Sequence, residues 1–186
     1  LIKTTYSFIL TIICISSILL GRAEWLLVFP FIPIQITLID QFVEGLPPFV
    51  LTFERNIKPV EPDFLKKAIF KALPSGLMVV FSVLFVNIFG GLHGWSQIEI
   101  STLLYYLLGS IGFLSVVRAC LPLNLWRILL ILWSLIGFFG TAVFLQKYIE
   151  IATLTSNSFP IYIILMILFT ITFIVVTHIQ NKREQS

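Results

Sequence analysis

Six long apolar runs separated by short polar connections constrain the fold of this 186-residue chain more than any other feature. Only 11% of the residues are charged and the mean hydropathy is +1.03, whereas an ordinary globular chain carries about 25% charged residues. Runs of about 18 or more apolar residues are typical of membrane-spanning helices. We therefore predict an all-α polytopic membrane bundle, a single transmembrane domain with six spans at about residues 5–20, 27–51, 69–89, 100–121, 125–145 and 159–179.

The basic residues are distributed unevenly between the two sides of this topology. Ten of the twelve lie on one side, and only Arg22 and Lys147 lie on the other. Because cytoplasmic loops carry an excess of Lys and Arg, we expect a multi-pass cell-membrane protein with both termini in the cytoplasm. The net charge of +3 is small, and no basic cluster supports a nucleic-acid partner. The Ile- and Phe-rich composition and compact loops favour a bacterial source.

Two carboxylates, Asp40 and Glu44, lie in the middle of the second apolar run. Each acid in such a position costs about 2.5–3.5 kcal/mol on insertion scales. Residues four apart share one face of a helix, and two adjacent carboxylates at low dielectric repel unless a cation joins them. The pattern favours a cation site or a proton relay. A buried structural pair is the alternative, but we find no obvious basic partner in the other spans.

The same run is broken directly after the acids by Gly45-Leu46-Pro47-Pro48. A proline removes the amide that would bond the carbonyl four residues earlier, which here frees the carbonyls of Val43 and Glu44. Unwound carbonyls at membrane depth often bind cations, and Ca²⁺ and Mg²⁺ prefer oxygen ligands. We predict a second span interrupted at residues 45–48 and a metal site formed by Asp40, Glu44 and these carbonyls; a plain proline kink is the alternative.

A hydroxyl stripe on the first run supplies a further candidate ligand. Thr4, Ser7 and Thr11 follow helical spacing, and Ser7 is the member that we predict to belong to the metal site. Hydroxyls in membrane helices more often bond their own backbone or a neighbouring helix.

The remaining reactive side chains do not indicate a second site. Cys14 and Cys120 lack CxxC spacing and are interpreted as packing residues. His93 and His178 have no second His or Cys at ligand spacing. No nucleophile constellation, phosphate loop or redox motif is present, so we expect no catalytic residue and no bound cofactor in this chain.

The stretch PFIPIQITLIDQFVEGLPPFVLTFE resembles the sixth membrane helix of the P-type cation-transporting ATPases, and KTTYSF resembles the cytoplasmic end of their fifth. The resemblance implies that the six runs correspond to the fifth to tenth helices, although the motifs are confined to about residues 1–70. The matching elements are Pro33, Gln35, Asp40, Glu44, Gly45, Leu46, Pro47, Phe53 and Glu54.

The resemblance also implies roles for individual residues. Glu44 falls where the family has its principal Asp ligand, and Asp40 falls where calcium pumps commonly have Asn and sodium/potassium pumps have Asp. Val43 replaces a frequent Thr, and Ser7 lies near a polar ligand of the fifth helix. Further acids used by two-site calcium pumps are not evident, which favours one transported ion per cycle.

The phosphorylated D-K-T-G motif of that family does not occur in the sequence. Together with a start at Leu1, this leads us to expect the C-terminal membrane domain of a longer pump, without ATPase activity of its own. Its expected partners are a transported cation (Ca²⁺ or Mg²⁺ favoured), the lipid bilayer and the missing N-terminal portion, which would bind ATP and Mg²⁺. The alternatives are a free-standing cation or proton carrier or channel subunit, and a non-transporting membrane scaffold.

Overall fold

A computed structural model describes residues 2–19, 32–54 and 63–185 of the chain. Within these ranges every regular secondary-structure element is a helix, and there is no strand, which confirms the all-α prediction. The elements are α1 (Ile2–Leu19), α2 (Pro33–Ile39), a π-helical turn (Asp40–Glu44), α3 (Leu46–Leu51), α4 (Phe64–Leu92), α5 (Gln97–Ala119), α6 (Leu125–Phe144) and α7 (Ser158–Gln185).

These elements correspond to the six predicted spans. Helices α4 to α7 are long and apolar enough to cross a membrane, and α1 is a shorter apolar helix. The second span is built from three pieces, α2, the π-helical turn and α3; its predicted beginning, residues 27–31, lies outside the described residues. A helix rises about 1.5 Å per residue, so twenty residues match a hydrocarbon core of about 30 Å. The chain therefore forms a helical membrane bundle.

Helix α5 lies at the centre of the bundle. It contacts α4, α6, α7 and the π-helical turn. Its apolar residues are not confined to one stripe, as expected for a helix that is surrounded by others. The side chains that are almost completely buried along it are Leu103, Leu104, Tyr105, Leu107, Leu108 and Ile111.

An ion pair fixes the exit of the interrupted span against α6. The Arg127 guanidinium donates to the Glu54 carboxylate, with Nη2 2.5 Å from Oε2 and Nε 3.0 Å from the same oxygen. Asn124 Nδ2 donates to Glu54 Oε1 at 3.1 Å and the Asn124 side chain also caps α6. These hydrogen bonds lower the pKa of Glu54 below its usual value. The end of α3 and the start of α6 are thereby held together.

The entrance to the same span is held by Gln35, a residue of the motif that carries the family resemblance. Its side chain is buried, and Nε2 donates to the carbonyl of Ile149 at 2.9 Å. Its Oε1 accepts from the amide of Ile32 at 3.3 Å. Gln35 therefore ties the start of α2 to the connection between α6 and α7, which is a structural role rather than a ligand role.

A second proline, Pro74, lies inside α4. It has no amide to donate to the carbonyl of Phe70, four residues earlier. Gln180 of α7 replaces that donor, because its Nε2 lies 2.7 Å from the Phe70 oxygen. The side chain of Gln180 is only 3% exposed, so this bond joins α7 to α4 inside the bundle.

Replacing Gln180 by Leu is expected to lower the free energy of unfolding by about 1–3 kcal/mol, because a buried carbonyl is left without its donor. Thermal unfolding of the purified protein in detergent measures the change. Gln97→Leu is the matched control, since Gln97 is exposed at the start of α5. Equal midpoints for Gln180→Leu and the unmodified protein would contradict this role.

Candidate cation site

The π-helical turn places the two intramembrane acids. The amide of Gly45 donates to the carbonyl of Asp40, five residues earlier, at 2.7 Å. The break is therefore displaced from the predicted interruption at residues 45–48: it precedes Gly45, and α3 resumes at Leu46. The physical reason is that Pro47 and Pro48 occupy the first turn of α3, which tolerates proline because the amides at this position have no acceptor within their own helix.

Both acids lie on the wall of a cavity of about 650 Å³. The cavity is bounded by α1, the π-helical turn, α3, α4, α5 and Phe173 of α7. Its apolar wall includes Pro47 and Pro48. The polar and charged side chains that line it are Lys3, Thr4, Asp40, Glu44, Lys71, Ser115 and Arg118.

Glu44 is the unusual member of this set. Both of its carboxylate oxygens are buried, and neither has a hydrogen-bond partner among the residues that the structure describes. A buried carboxylate without partners is costly unless it is paired, coordinates a metal or becomes protonated. The geometry therefore gives Glu44 the chemistry of a cation ligand or a proton carrier.

Asp40 differs because it has a basic partner. Lys3 Nζ of α1 forms a hydrogen-bonded ion pair with Asp40 Oδ2. The expectation that no other span supplies a basic partner was wrong. Sequence reasoning assigned Lys3 only to the basic side of the topology, whereas the packing of α1 brings its ammonium to the acid. The ion pair offsets the charge of Asp40, whereas the oxygens of Glu44 accept no hydrogen bond from the described residues.

Asp40 and Glu44 are the two acidic residues among the described residues that line the cavity. In the described ranges no three side chains of His, Cys, Asp or Glu lie close enough to hold a metal ion together. Ca²⁺ takes about six to eight oxygen ligands. Backbone carbonyls are the nearest further source in this chain, and the carbonyls of Val43 and Glu44 have a proline instead of an amide four residues later.

Ser7 is placed beside the cavity rather than on its wall. From α1, the cavity is lined by Lys3 and Thr4. Ser7 is half-buried, and its carbonyl accepts from the Thr11 hydroxyl at 2.8 Å. The proposed ligand role of Ser7 stays a prediction.

Close packing behind the acids depends on Gly112 of α5, which sequence reasoning did not single out. A Cβ at this position would lie 2.5 Å from Val43 Cγ1 and 3.9 Å from Glu44 Cγ. Val43 is almost fully buried, so it has little room to move. A glycine within an apolar run was the only sequence signal for this contact.

Comparisons with known proteins identify similar chains among the cation-transporting ATPases. The chain is 66% identical, over 98% of its length, to the probable cation-transporting ATPase exp7 of Streptococcus pneumoniae, of which it spans 24%. It is 32% identical over 74% of its length to the calcium-transporting ATPase CtpE of Mycolicibacterium smegmatis and 30% identical over 72% to that of Mycobacterium bovis, and spans 18% of each. No family model matches the chain, and no solved structure gives a significant match.

We expect Gly112→Ala to destabilise the protein by about 1–3 kcal/mol, the usual cost of overpacking, because the new methyl group collides with Val43. Gly140→Ala is the control, since nothing lies within 4 Å of a Cβ at residue 140. Unfolding midpoints in detergent compare the two variants. The packing interpretation fails if Gly140→Ala is as destabilising as Gly112→Ala.

Proposed function

Because the chain is homologous to part of the P-type cation-transporting ATPases, we propose that it is the transport membrane domain of such an ATP-driven pump. Asp40 and Glu44 would form part of the intramembrane cation site. The chain covers about a quarter or less of these relatives, so ATP and Mg²⁺ would bind in the remainder of the pump.

One observation carries this proposal. The carboxylate of Glu44, whose two oxygens are buried and accept no hydrogen bond within the described ranges, lies on a cavity wall next to a turn followed by two prolines. In a membrane, irregular backbone is tolerated where it lines a cavity, and intramembrane acids mark ion pathways. The two features together form an oxygen-rich surface suited to a cation.

The proposed mechanism couples this surface to chemistry elsewhere in the pump. Phosphorylation of an aspartate outside this chain would shift the helices around the cavity and change which side of the membrane it faces. Glu44 would hold the cation in one state. After release, the same carboxylate would take up a proton, because a charged buried acid without a partner is unfavourable.

We propose Ca²⁺ as the transported ion to test first. Two of the similar proteins are named calcium-transporting ATPases, and Ca²⁺ prefers carboxylate and carbonyl oxygens; Mg²⁺ is the second candidate. With Asp40 paired to Lys3, Glu44 is the carboxylate of the cavity wall that accepts no hydrogen bond from the described residues, which favours a single ion per cycle.

The orientation of the bundle is part of the same proposal. The excess of basic residues on one side places both termini in the cytoplasm by the positive-inside rule. Labelling of single cysteines introduced near residues 94 and 181 with a membrane-impermeant reagent tests this, and it requires residue 94 alone to react from outside.

Glu44→Gln in the complete pump is expected to raise the half-saturating Ca²⁺ concentration for phosphorylation by at least about 100-fold. Removing one partner of a buried charge pair costs about 3–5 kcal/mol, and the amide cannot supply the charge. Glu99→Gln is the control, because Glu99 caps the exposed start of α5 and glutamine also serves in a capping box. Unchanged Ca²⁺ dependence in Glu44→Gln would overturn the site assignment.

Lys3→Gln is expected to lower the half-saturating Ca²⁺ concentration by about tenfold or more. Two unit charges about 6 Å apart at an effective dielectric of about 20 interact with roughly 3 kcal/mol. The variant removes the repulsion between the Lys3 ammonium and a bound cation, and it leaves the Asp40 carboxylate without its ion-pair partner. Lys3→Arg keeps the positive charge and should resemble the unmodified pump. Equal Ca²⁺ affinity in Lys3→Gln and Lys3→Arg would show that Lys3 does not act through its charge.

A further inference from the structure

Ser134, in the middle of α6, makes a hydrogen bond to the backbone of the π-helical turn. Its side chain is completely buried, and Oγ donates to the carbonyl of Phe42 at 2.5 Å. Several hydroxyls in this bundle bond a carbonyl of their own helix, as Ser82 does to that of Met78 at 2.8 Å, and Ser75 and Ser110 bond side-chain hydroxyls of neighbouring helices. Such back-bonding is the usual behaviour of Ser in a helix. Ser134 instead crosses to another helix.

The acceptor, the carbonyl of Phe42, lies where the helix cannot supply a backbone donor. Asp40 and Gly45 are linked in a five-residue register, and in that register the carbonyl of Phe42 would be bonded by the amide of residue 47. Residue 47 is proline and has no amide hydrogen. The Ser134 hydroxyl therefore supplies to the Phe42 carbonyl the hydrogen bond that Pro47 cannot donate.

Two further residues of α6 pack closely against Phe42. At Gly137, a Cβ would lie 2.2 Å from Cδ1 of Phe42, so only glycine allows the ring to lie against the helix. The Trp133 and Phe42 rings have centroids 6.2 Å apart. Helix α6 thus contacts the turn on its far side, since neither Ser134 nor Gly137 lines the cavity.

We propose that Ser134 is a positioning residue for the cation site: its hydroxyl holds the π-helical turn in the register that places Asp40 and Glu44 on one cavity wall. Phe42 lies between the two acids in sequence, so a displacement of its carbonyl alters the angle between their side chains. The inference rests on the proposed function, because it assigns Ser134 to the geometry of that site without contact with the ion.

The experiment compares Ser134→Ala, which removes the hydroxyl, with Ser134→Thr, which keeps it. Ser82→Ala is the matched control, because Ser82 is a buried serine whose hydroxyl donates to a carbonyl of its own helix. Two quantities are measured on the complete pump. One is the half-saturating Ca²⁺ concentration for phosphorylation, separately from the maximal level; the other is amide hydrogen exchange of the peptide containing residues 40–46.

We expect Ser134→Ala to raise the half-saturating Ca²⁺ concentration about three- to tenfold, in line with the loss of one neutral hydrogen bond, with the maximal level unchanged. The exchange of peptide 40–46 should accelerate, and Ser134→Thr should restore both values. Ser82→Ala should leave both unchanged. These outcomes together support positioning, because general destabilisation would also affect the Ser82 variant or lower the maximal level.

Two results would overturn the proposal. One is unaltered exchange of peptide 40–46 in Ser134→Ala, which would show that the hydroxyl does not hold the turn. The other is accelerated exchange of peptide 40–46 in Ser134→Ala without any change in its Ca²⁺ dependence, while Glu44→Gln does change the Ca²⁺ dependence. This result would show that the conformation of the turn does not affect the cation site. If Glu44→Gln has no effect, the proposed function fails, and the exchange data alone still decide whether Ser134 holds the turn.

Discussion

The structure depends on the need to satisfy backbone carbonyls where water is absent. In a hydrocarbon environment each unpaired carbonyl costs several kcal/mol, and every proline inside a helix creates one. Pro47 and Pro74 do so in two different spans, and each time a polar side chain from another helix supplies the donor: Ser134 to the carbonyl of Phe42 and Gln180 to that of Phe70. These two bonds attach α6 and α7 to the helices that carry the irregular backbone.

The electrostatics of the cavity follow from the same packing. Because α1 contacts α4 and lies beside the interrupted span, the ammonium of Lys3 reaches Asp40. Glu44, one helical turn later, points to the same cavity but receives no hydrogen bond from the described part of the chain. Two acids that look equivalent in the sequence are therefore inequivalent in the fold. One is compensated within the protein, and the other is left to interact with a cation or a proton.

Sequence reasoning succeeded where a local signal was strong. The fifth span was predicted at residues 125–145, and the helix is Leu125–Phe144, because apolar length alone defines a membrane helix. The acids and prolines were recognisable because charged and helix-breaking residues are rare in such runs. The contacts of Lys3, Gly112 and Ser134 were not predictable, because each depends on which helices pack together and at what register. A serine in an apolar run has the same appearance whether it bonds its own helix or another.

The two kinds of interaction at the site differ in size, and this difference separates their roles. A neutral hydrogen bond such as that of Ser134 contributes about 1 kcal/mol, whereas an uncompensated buried carboxylate such as Glu44 involves several kcal/mol. In the proposed site the carboxylate would therefore supply most of the attraction for a cation. The hydrogen bonds to the turn are too weak to do this, but they are strong enough to select one arrangement of a backbone that two prolines have already weakened. The proposed site has its charge on one helix and the control of its geometry on another, so a movement of α6 relative to the turn would change the ligand arrangement without moving the charged residues out of the cavity.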